Sequence, residues 1–304
     1  MHIFLISYLK TKAHSGHAKQ FISEMSLDEL KNKYRGIVVV SGDGLVYEII
    51  NGLMSRDDSM QAIDSTAIGQ IPGGSGNAFS YSSAYIRNEA YANLNLKELI
   101  RQTAFNMTKS IRYPMDLVCY KLEGEEKEIY SFLNFEWAIV SDVDLESEKY
   151  RKLLGSQRFT MSALARIMNL RIYRGKLSYL QMDNQDWTHL VEDNYVLVLI
   201  SCLPFIGSDF MASPSTKTFN GGFMHLTYVK EGISKFQLLK LFLDTKNGNH
   251  LACDLVHHCK IKAFQLEPIQ IAGNNHGIMM IDGERVAYGK IQAEIKPNLA
   301  WALA

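Results

Sequence analysis

Two glycine-rich segments contain the residues best suited to chemistry. The first, Ser41-Gly42-Asp43-Gly44, directly follows the β-branched run 36–40 and precedes a helical pattern. Two glycines around an aspartate permit a tight turn and close approach of a ligand to the backbone. The following helix offers N–H groups to an anion, at the carboxyl end of a strand where α/β proteins form their sites. A plain turn with Asp43 as the helix N-cap explains this pattern equally well.

The second segment, Pro72-Gly73-Gly74-Ser75-Gly76-Asn77-Ala78, again lies between an apolar strand and a helix. Ordinary turns rarely need so many glycines, whereas a nest of backbone N–H groups that binds phosphate does. Ser75 adds a hydroxyl donor, and the absence of a following Lys-Ser/Thr pair excludes a Walker A loop. Two such loops at strand ends of one sheet predict a nucleotide site.

The elements that must position these loops divide the chain in two. Strand and helix patterns alternate over the first third, which predicts a doubly wound parallel α/β domain over 1–112. Beyond it, short β-rich runs predict an antiparallel β-sandwich over 113–304. We expect strands at 4–8, 36–40, 67–71, 117–122, 131–140, 195–201, 222–228, 261–266, 278–281 and 286–295, and helices at 17–25, 45–54, 160–172 and 235–243.

Composition excludes several classes of protein. The 304 residues carry 32 basic and 32 acidic side chains and are 47% hydrophobic, which is typical of a globular chain rather than a disordered one. Zero net charge argues against nucleic-acid binding by bulk positive charge. Four scattered cysteines favour reduced cytosolic thiols, and no stretch is long and apolar enough to span a bilayer. We therefore expect a cytoplasmic protein whose membrane contact, if any, is peripheral.

Longer sequence strings around the two glycine loops indicate a particular family of proteins. The string SGDGLVYEIINGL (41–53), followed by PGGSGNA (72–78), resembles the catalytic region of sphingosine kinases, within the diacylglycerol kinase superfamily. SDVDLESEKYR (141–151) narrows the resemblance to that family, and IDGE (281–284) matches a fourth block. The resemblance runs from about residue 17 to the end. It implies a fold like that of NAD kinases and diacylglycerol kinases, and transfer of the ATP γ-phosphoryl group, with Mg²⁺, to the primary hydroxyl of sphingosine.

The resemblance also assigns roles to single residues. Asp43 corresponds to the catalytic base, Ser41, Gly42 and Asp43 to substrate-binding positions, and Asp144 to the carboxylate that recognises the sphingoid amine. Nucleotide contacts are implied for Thr11, Gly44, Glu48, Gly74, Ser75, Gly76, Arg151, Arg158, Asp282, Gly283 and Glu284. Without the resemblance, Asp282-Gly283 indicates a two-residue hairpin turn, and residues 146–149 a solvated helix face.

The substrate that the resemblance implies has a long alkyl tail and is found in membranes. These two properties suggest roles for further residues. An alkyl tail needs a dry apolar slot, where each buried methylene contributes about 0.8 kcal/mol. Its candidate lining residues, each equally explained by core packing, are Phe135, Trp137, Ile139, Leu164, Ile167 and Met168. Segment 159–174 is basic and amphipathic, which is typical of a helix that binds a membrane or a calmodulin-like partner, or covers the slot as a lid. We expect Arg166, Arg171 and Arg174 to face the bilayer.

The sequence departs from the family at one end. Sphingosine kinases have a further strand, glycine-rich phosphate loop and helix before the segment that matches Phe4, and this sequence has no counterpart to them. We therefore expect weaker ATP binding than in a full-length relative. The alternative functions are a diacylglycerol- or ceramide-type kinase, against which Asp144 argues, and an inactive relative that binds lipids or protein partners.

Overall fold

The N-terminal part of the chain forms parallel strands covered by helices. The computed structural model describes residues 14–89, 95–150, 157–189, 192–269 and 277–304. Strands β1 (Gly36–Ser41) and β2 (Ala67–Pro72) pair in parallel, so that Ser41 lies beside Pro72 where both strands end. The helices are α1 (His17–Glu24), α2 (Asp43–Met54), α3 (Ser59–Ser65), α4 (Ala78–Ile86) and α5 (Leu96–Lys109), with a π-helical turn at Glu29–Lys33.

Antiparallel strands dominate the rest of the chain. They enclose an aromatic core that contains the fully buried Tyr120, Phe135, Trp137 and Phe264. The strands are β3 (Arg112–Leu122), β4 (Ile129–Ser131), β5 (Asn134–Ala138), β6 (Tyr173–Gln181), β7 (Thr188–His189), β8 (Asp193–Ser201), β9 (Phe205–Gly207), β10 (Phe210–Met211), β11 (Met224–Lys230), β12 (His257–Ile269), β13 (Met279–Ile281), β14 (Glu284–Val286) and β15 (Ile291–Leu303). The helices are α6 (Ile139–Ser147), α7 (Gln157–Met168) and α8 (Lys235–Asp244), with 3₁₀ turns at Glu148–Tyr150, Thr245–Asn247 and Asn249–Ala252.

Strand β15 joins the two parts. It pairs antiparallel with β3 and β12, and its last residues pair in parallel with β2, placing Ala302 beside Ile68. One sheet therefore runs in the order β1-β2-β15-β12-β11-β8-β5-β13-β14. The predicted combination of a parallel α/β domain and a β-sandwich is confirmed, and the boundary at 112/113 stays a prediction.

Several sequence predictions differ from the structure. The β-branched run 36–40 suggests a strand buried on both faces, but Val38 and Val40, which share one face of β1, are 38% and 66% exposed. The strand predicted at 131–140 ends at Ala138, whose φ of 67° turns the chain into α6. Helix α7 ends at Met168, before the predicted end at residue 172. The predicted strand at 4–8 lies outside the described residues.

Candidate active site

The two glycine loops form one cradle at the ends of β1 and β2. The Gly73 N–H donates to the Ser41 carbonyl oxygen at 3.2 Å. A Cβ atom at Gly74 would lie 2.4 Å from the Cα atom of Gly42. No side chain fits at such a distance, so this approach requires glycine at position 74. The two glycine loops therefore lie side by side, as their positions at strand ends of one sheet predict.

The cradle has its own internal bracing. Asn77 adopts the left-handed conformation (φ 55°), and its side chain accepts from the Gly74 N–H and donates to the Gly74 carbonyl, both at 2.8 Å. Within the described part of the chain, the N–H groups of Ser75 and Gly76 have no protein acceptor. These two amides are the ones available to an anionic ligand.

Asp43 links the two loops through its carboxylate. Oδ2 accepts from the Ala78 N–H at 3.0 Å, and Oδ1 accepts from the Phe79 N–H at 3.0 Å and Gln70 Nε2 at 3.2 Å. It therefore caps α4 rather than its own helix, so the alternative that Asp43 is the N-cap of α2 is wrong. Desolvation raises the pKa of Asp43, which these hydrogen bonds partly oppose. Because Oδ2 accepts a single amide, it retains capacity for a substrate hydroxyl.

Arg158 connects the cradle to α6. Its guanidinium donates to Glu148 and to Ser75 Oγ at 3.3 Å, and lies 3.9 Å from Asp144 Oδ1. The residue is 3% exposed, and its Nε has no hydrogen-bond partner among the described residues. A buried donor without an acceptor costs about 1–3 kcal/mol. An anion beside Ser75 would remove that cost.

The hairpin between β13 and β14 forms another wall. Asp282 and Gly283 both have positive φ (51° and 80°), as a type I′ turn requires, so the hairpin interpretation is confirmed. The Asp282 carboxylate accepts from Ser131 Oγ at 2.5 Å and from the N–H groups of Phe132, Leu133 and Asn134. Asp282 thus fixes the hairpin to the β4–β5 connection, and burial raises its pKa to about 7.

For three residues that the resemblance assigns to the nucleotide, the structure does not place the side chain at the cavity. Glu48 is 7% exposed and accepts from the N–H groups of Gly16 and Ala18, both at 3.1 Å, which caps α1. It is not among the residues that line the cavity described below, so its nucleotide contact stays a prediction. Thr11 and Arg151 lie outside the described residues.

A cavity of about 1100 Å³ brings the remaining candidates together. Its polar lining includes residues 41–44, residues 73–76, Asp144, Arg158 and residues 282–284. Its apolar lining comes from α6, α7 and α8 and comprises Val140, Val143, Ala163, Leu164, Ile167, Leu239 and Phe242. The space therefore brings together the glycine cradle, carboxylates and an apolar slot.

Of the six predicted slot residues, only Leu164 and Ile167 line the cavity. Phe135 and Trp137 point into the sandwich core, and Ile139 packs in a separate core cluster. The alternation of β5 explains this outcome, because successive side chains face opposite sides of the sheet. Met168 is 70% exposed.

The arginines of segment 159–174 differ in their exposure to solvent. Arg166 is 6% exposed, bonds to Glu146 and lies 3.6 Å from Asp142. Arg171 also lies near Asp142, at 3.7 Å, and Arg174 pairs with Glu192. The Arg166 ion pairs hold α7 against α6, so the prediction that Arg166 faces a bilayer is wrong. For Arg171 and Arg174 it stays a prediction. No helix in the described ranges is both long enough and apolar enough to cross a membrane.

Comparisons with known proteins agree with this geometry. Residues 4–109 match the diacylglycerol kinase catalytic domain, and residues 139–303 match the YegS C-terminal NAD kinase beta sandwich-like domain. A crystal structure of a diacylglycerol kinase from Bacillus anthracis str. Sterne superposes with a TM-score of 0.59 at 18% identity, covering 96% of this chain and 82% of that one. The fold is therefore that of the diacylglycerol kinase class.

Sequence relatives narrow the class. Sphingosine kinase 1 of Rattus norvegicus is 33% identical over 95% of this chain and 79% of its own length. Sphingosine kinase 1 of Mus musculus is 32% identical over 94% and 79%, and sphingosine kinase 1 of Arabidopsis thaliana 29% identical over 90% and 60%. The chain belongs to the sphingosine kinase family.

Proposed function

We propose that this protein transfers the γ-phosphoryl group of ATP to the primary hydroxyl of sphingosine or a closely related long-chain base. The observation that carries the proposal is the shared cavity, in which the glycine cradle, Asp43 and Asp144 meet an apolar slot. The names of the relatives point to the same substrate.

The residues present fit a nucleotide with Mg²⁺. The N–H groups of Ser75 and Gly76 and Arg158 Nε are donors suited to phosphate oxygens, and no residue that the structure describes accepts from them. Bound Mg²⁺ would neutralise charge on those oxygens. It is normally held by one or two carboxylates together with phosphate and water, and Glu284 in the cavity wall could supply one.

The protein groups have distinct tasks in this reaction. Asp43 Oδ2 accepts the proton of the attacking hydroxyl, and its raised pKa brings it nearer to the pH at which it acts. Asp144 pairs with the substrate ammonium, while Arg158 beside it stabilises the negative phosphates. The alkyl tail is buried between α7 and α8, which fixes the hydroxyl near the cradle.

Radiolabelled ATP with sphingosine tests the proposal. We expect Asp43→Asn to lower turnover by about 10²–10⁴-fold, because the amide cannot accept the proton. Asp57→Asn, at an exposed aspartate beyond α2, is the matched control and should retain full activity. Undiminished turnover in Asp43→Asn, or phosphorylation of diacylglycerol or ceramide in preference to sphingosine, would contradict the proposal. No turnover by the wild type would favour an inactive lipid-binding relative.

We also propose that the protein meets its substrate at the cytoplasmic surface of a membrane, through the exposed apolar side chains of α7 and α8. Met161 and Met168 on α7 are 54% and 70% exposed, and Phe236 and Leu243 on α8 are 78% and 66% exposed. Of these four side chains, Leu243 also lines the cavity. A calmodulin-like partner that bound segment 159–174 as a helix would have to break the Arg166 ion pairs, so we favour the membrane.

Sedimentation with liposomes tests this surface. We expect Phe236→Glu to reduce the bound fraction several-fold, because a charge replaces an apolar contact with the bilayer. Phe105→Glu on α5 is the matched control, since Phe105 is also exposed (62%) but lies on another helix. Equal binding of both variants and the wild type would exclude this surface.

A further inference from the structure

The cavity wall contains a carboxyl group that the mechanism above does not use. Glu136 lies on β5, between Phe135 and Trp137, whose side chains enter the sandwich core. Alternation along the strand turns Glu136 to the opposite side, where it lines the cavity with Asn134 and Asp144. It is 5% exposed.

Half of this carboxyl group has no partner. Oε1 accepts from Asn134 Nδ2 at 2.6 Å, but the buried Oε2 has no hydrogen-bond partner among the residues that the structure describes. The residues beside Glu136 on the neighbouring strands are Leu199 on β8 and Met280 on β13, both apolar. A buried polar atom in such surroundings is costly unless a ligand completes its hydrogen bonds.

The surroundings also set the protonation state of Glu136. Burial raises the pKa of its carboxyl group well above the usual range, and the negative charges of Asp144 and Asp282 act in the same direction. A neutral carboxyl group offers one O–H donor as well as acceptor oxygens. A neutral hydroxyl suits that group, whereas an ammonium suits Asp144, which already lies in an ion pair with Arg158.

We propose that Glu136 is a specificity-determining residue that hydrogen-bonds the secondary hydroxyl next to the amine-bearing carbon of the long-chain base. This inference rests on the proposed function and defines its substrate class more narrowly. Asp144 binds the amine, Glu136 binds the neighbouring hydroxyl, and the primary hydroxyl remains for Asp43. A base that lacks the secondary hydroxyl leaves Glu136 Oε2 unpaired, and sites built this way discriminate strongly against such analogues.

A cycle of two substrates and two proteins tests the contact. The substrates are sphingosine and its 3-deoxy analogue, and the proteins are the wild type and Glu136→Leu. Binding is measured by calorimetry without ATP, and kcat/KM with it. We expect removal of the hydroxyl to weaken binding by 10-fold or more in the wild type and by less than about threefold in Glu136→Leu, since the coupling between contacting groups is lost.

Controls keep this test decisive. Glu136→Gln retains a donor and an acceptor and should retain most of the discrimination, while Glu126→Leu, at an exposed glutamate, should leave it unchanged. Glu136→Ala repeats the cycle if leucine prevents cooperative unfolding. Equal loss for the 3-deoxy analogue in all variants would overturn the Glu136 contact while the kinase proposal stands. Failure of the wild type to bind either base would overturn the proposed function, and this inference with it.

Discussion

Carboxyl groups with raised pKa values are concentrated at this site. Burial raises the pKa of Asp43, Asp116, Glu136, Asp142, Asp209 and Asp282, and all of these except Asp116 and Asp142 line the cavity. Such clustering is typical of functional sites, although internal ion pairs such as those of Asp142 produce it too. The pH dependence of stability therefore reports directly on the walls of the site.

The pKa of Asp282 has an effect on the free energy of unfolding that can be measured. Its pKa rises to about 7 in the folded protein from about 3.9 in the unfolded chain. Between these values the folded state binds more protons, so the free energy of unfolding falls as pH rises, by at most about 1.4 kcal/mol per pH unit. We expect urea unfolding to show a steeper decline between pH 5 and 7 in the wild type than in Asp282→Asn.

The Asn variant suits this comparison because it tolerates the positive φ of the turn and does not titrate. It should be less stable at pH 5, by about 1–3 kcal/mol, since its amide nitrogen faces the Phe132 N–H that Oδ2 now accepts. Identical pH slopes in both proteins would show that Asp282 titrates near its ordinary value, with its four donors outweighing burial.

Single residues were predictable from sequence only where they belong to a motif. Asp43 and Asp144 lie in the quoted strings, Arg158 is implied by the family resemblance alone, and all three line the cavity. Asn77 carries a local signal, since asparagine tolerates the left-handed conformation within a glycine loop. No local sequence pattern identifies Gln70 or Glu136 as a site residue. Each occupies an ordinary strand position, and its role depends on residues from distant parts of the chain that pack beside it in the fold.

At the scale of elements, the close approach of the two loops leads to a sharp prediction. We expect Gly74→Ala to weaken ATP binding at least 10-fold and to destabilise the fold by about 1–3 kcal/mol, because its Cβ would collide with the Gly42 backbone. Gly73→Ala is the matched control, since its Cβ would lie 3.4 Å from Ser41, an ordinary contact. Nucleotide titration and urea unfolding measure both effects, and equal behaviour of the two variants would contradict this account of the cradle.

Elements were predictable where their periodicity is strong, and were missed where one residue redirects the chain. Helix α2 is predicted because Leu45, Ile49 and Leu53 recur four residues apart on one helical face, and Ile49 and Leu53 are buried in the structure. Helix α5 was overlooked, although Asn95 and Glu98 form a capping box at its start. The β5–α6 junction was not predictable, because nothing in the sequence shows that Ala138 adopts a positive φ, which alanine rarely does.

For the whole molecule, the return of β15 to the N-terminal sheet could not be predicted from local pattern. Strand pairing between Ala302 and Ile68 joins residues more than two hundred positions apart, and no periodicity within either strand encodes its partner. The consequence is mechanical: the cradle belongs to the α/β part, Asp144 and Arg158 to the other, and β15 is hydrogen-bonded to both. The relative position of phosphate and lipid groups thus depends on this strand.

A substitution at the junction tests that dependence. Ala302 is fully buried in the apolar core of the N-terminal part, so Ala302→Asp places an unpaired charge there and should cost at least about 3 kcal/mol. Gln292→Asp, at an exposed position on the same strand, should be nearly neutral. If the two parts unfold as one unit, hydrogen exchange in Ala302→Asp will accelerate at both β1 and β13. Acceleration confined to β1 would mean that the cradle and the lipid-binding wall are held independently, and that β15 does not couple them.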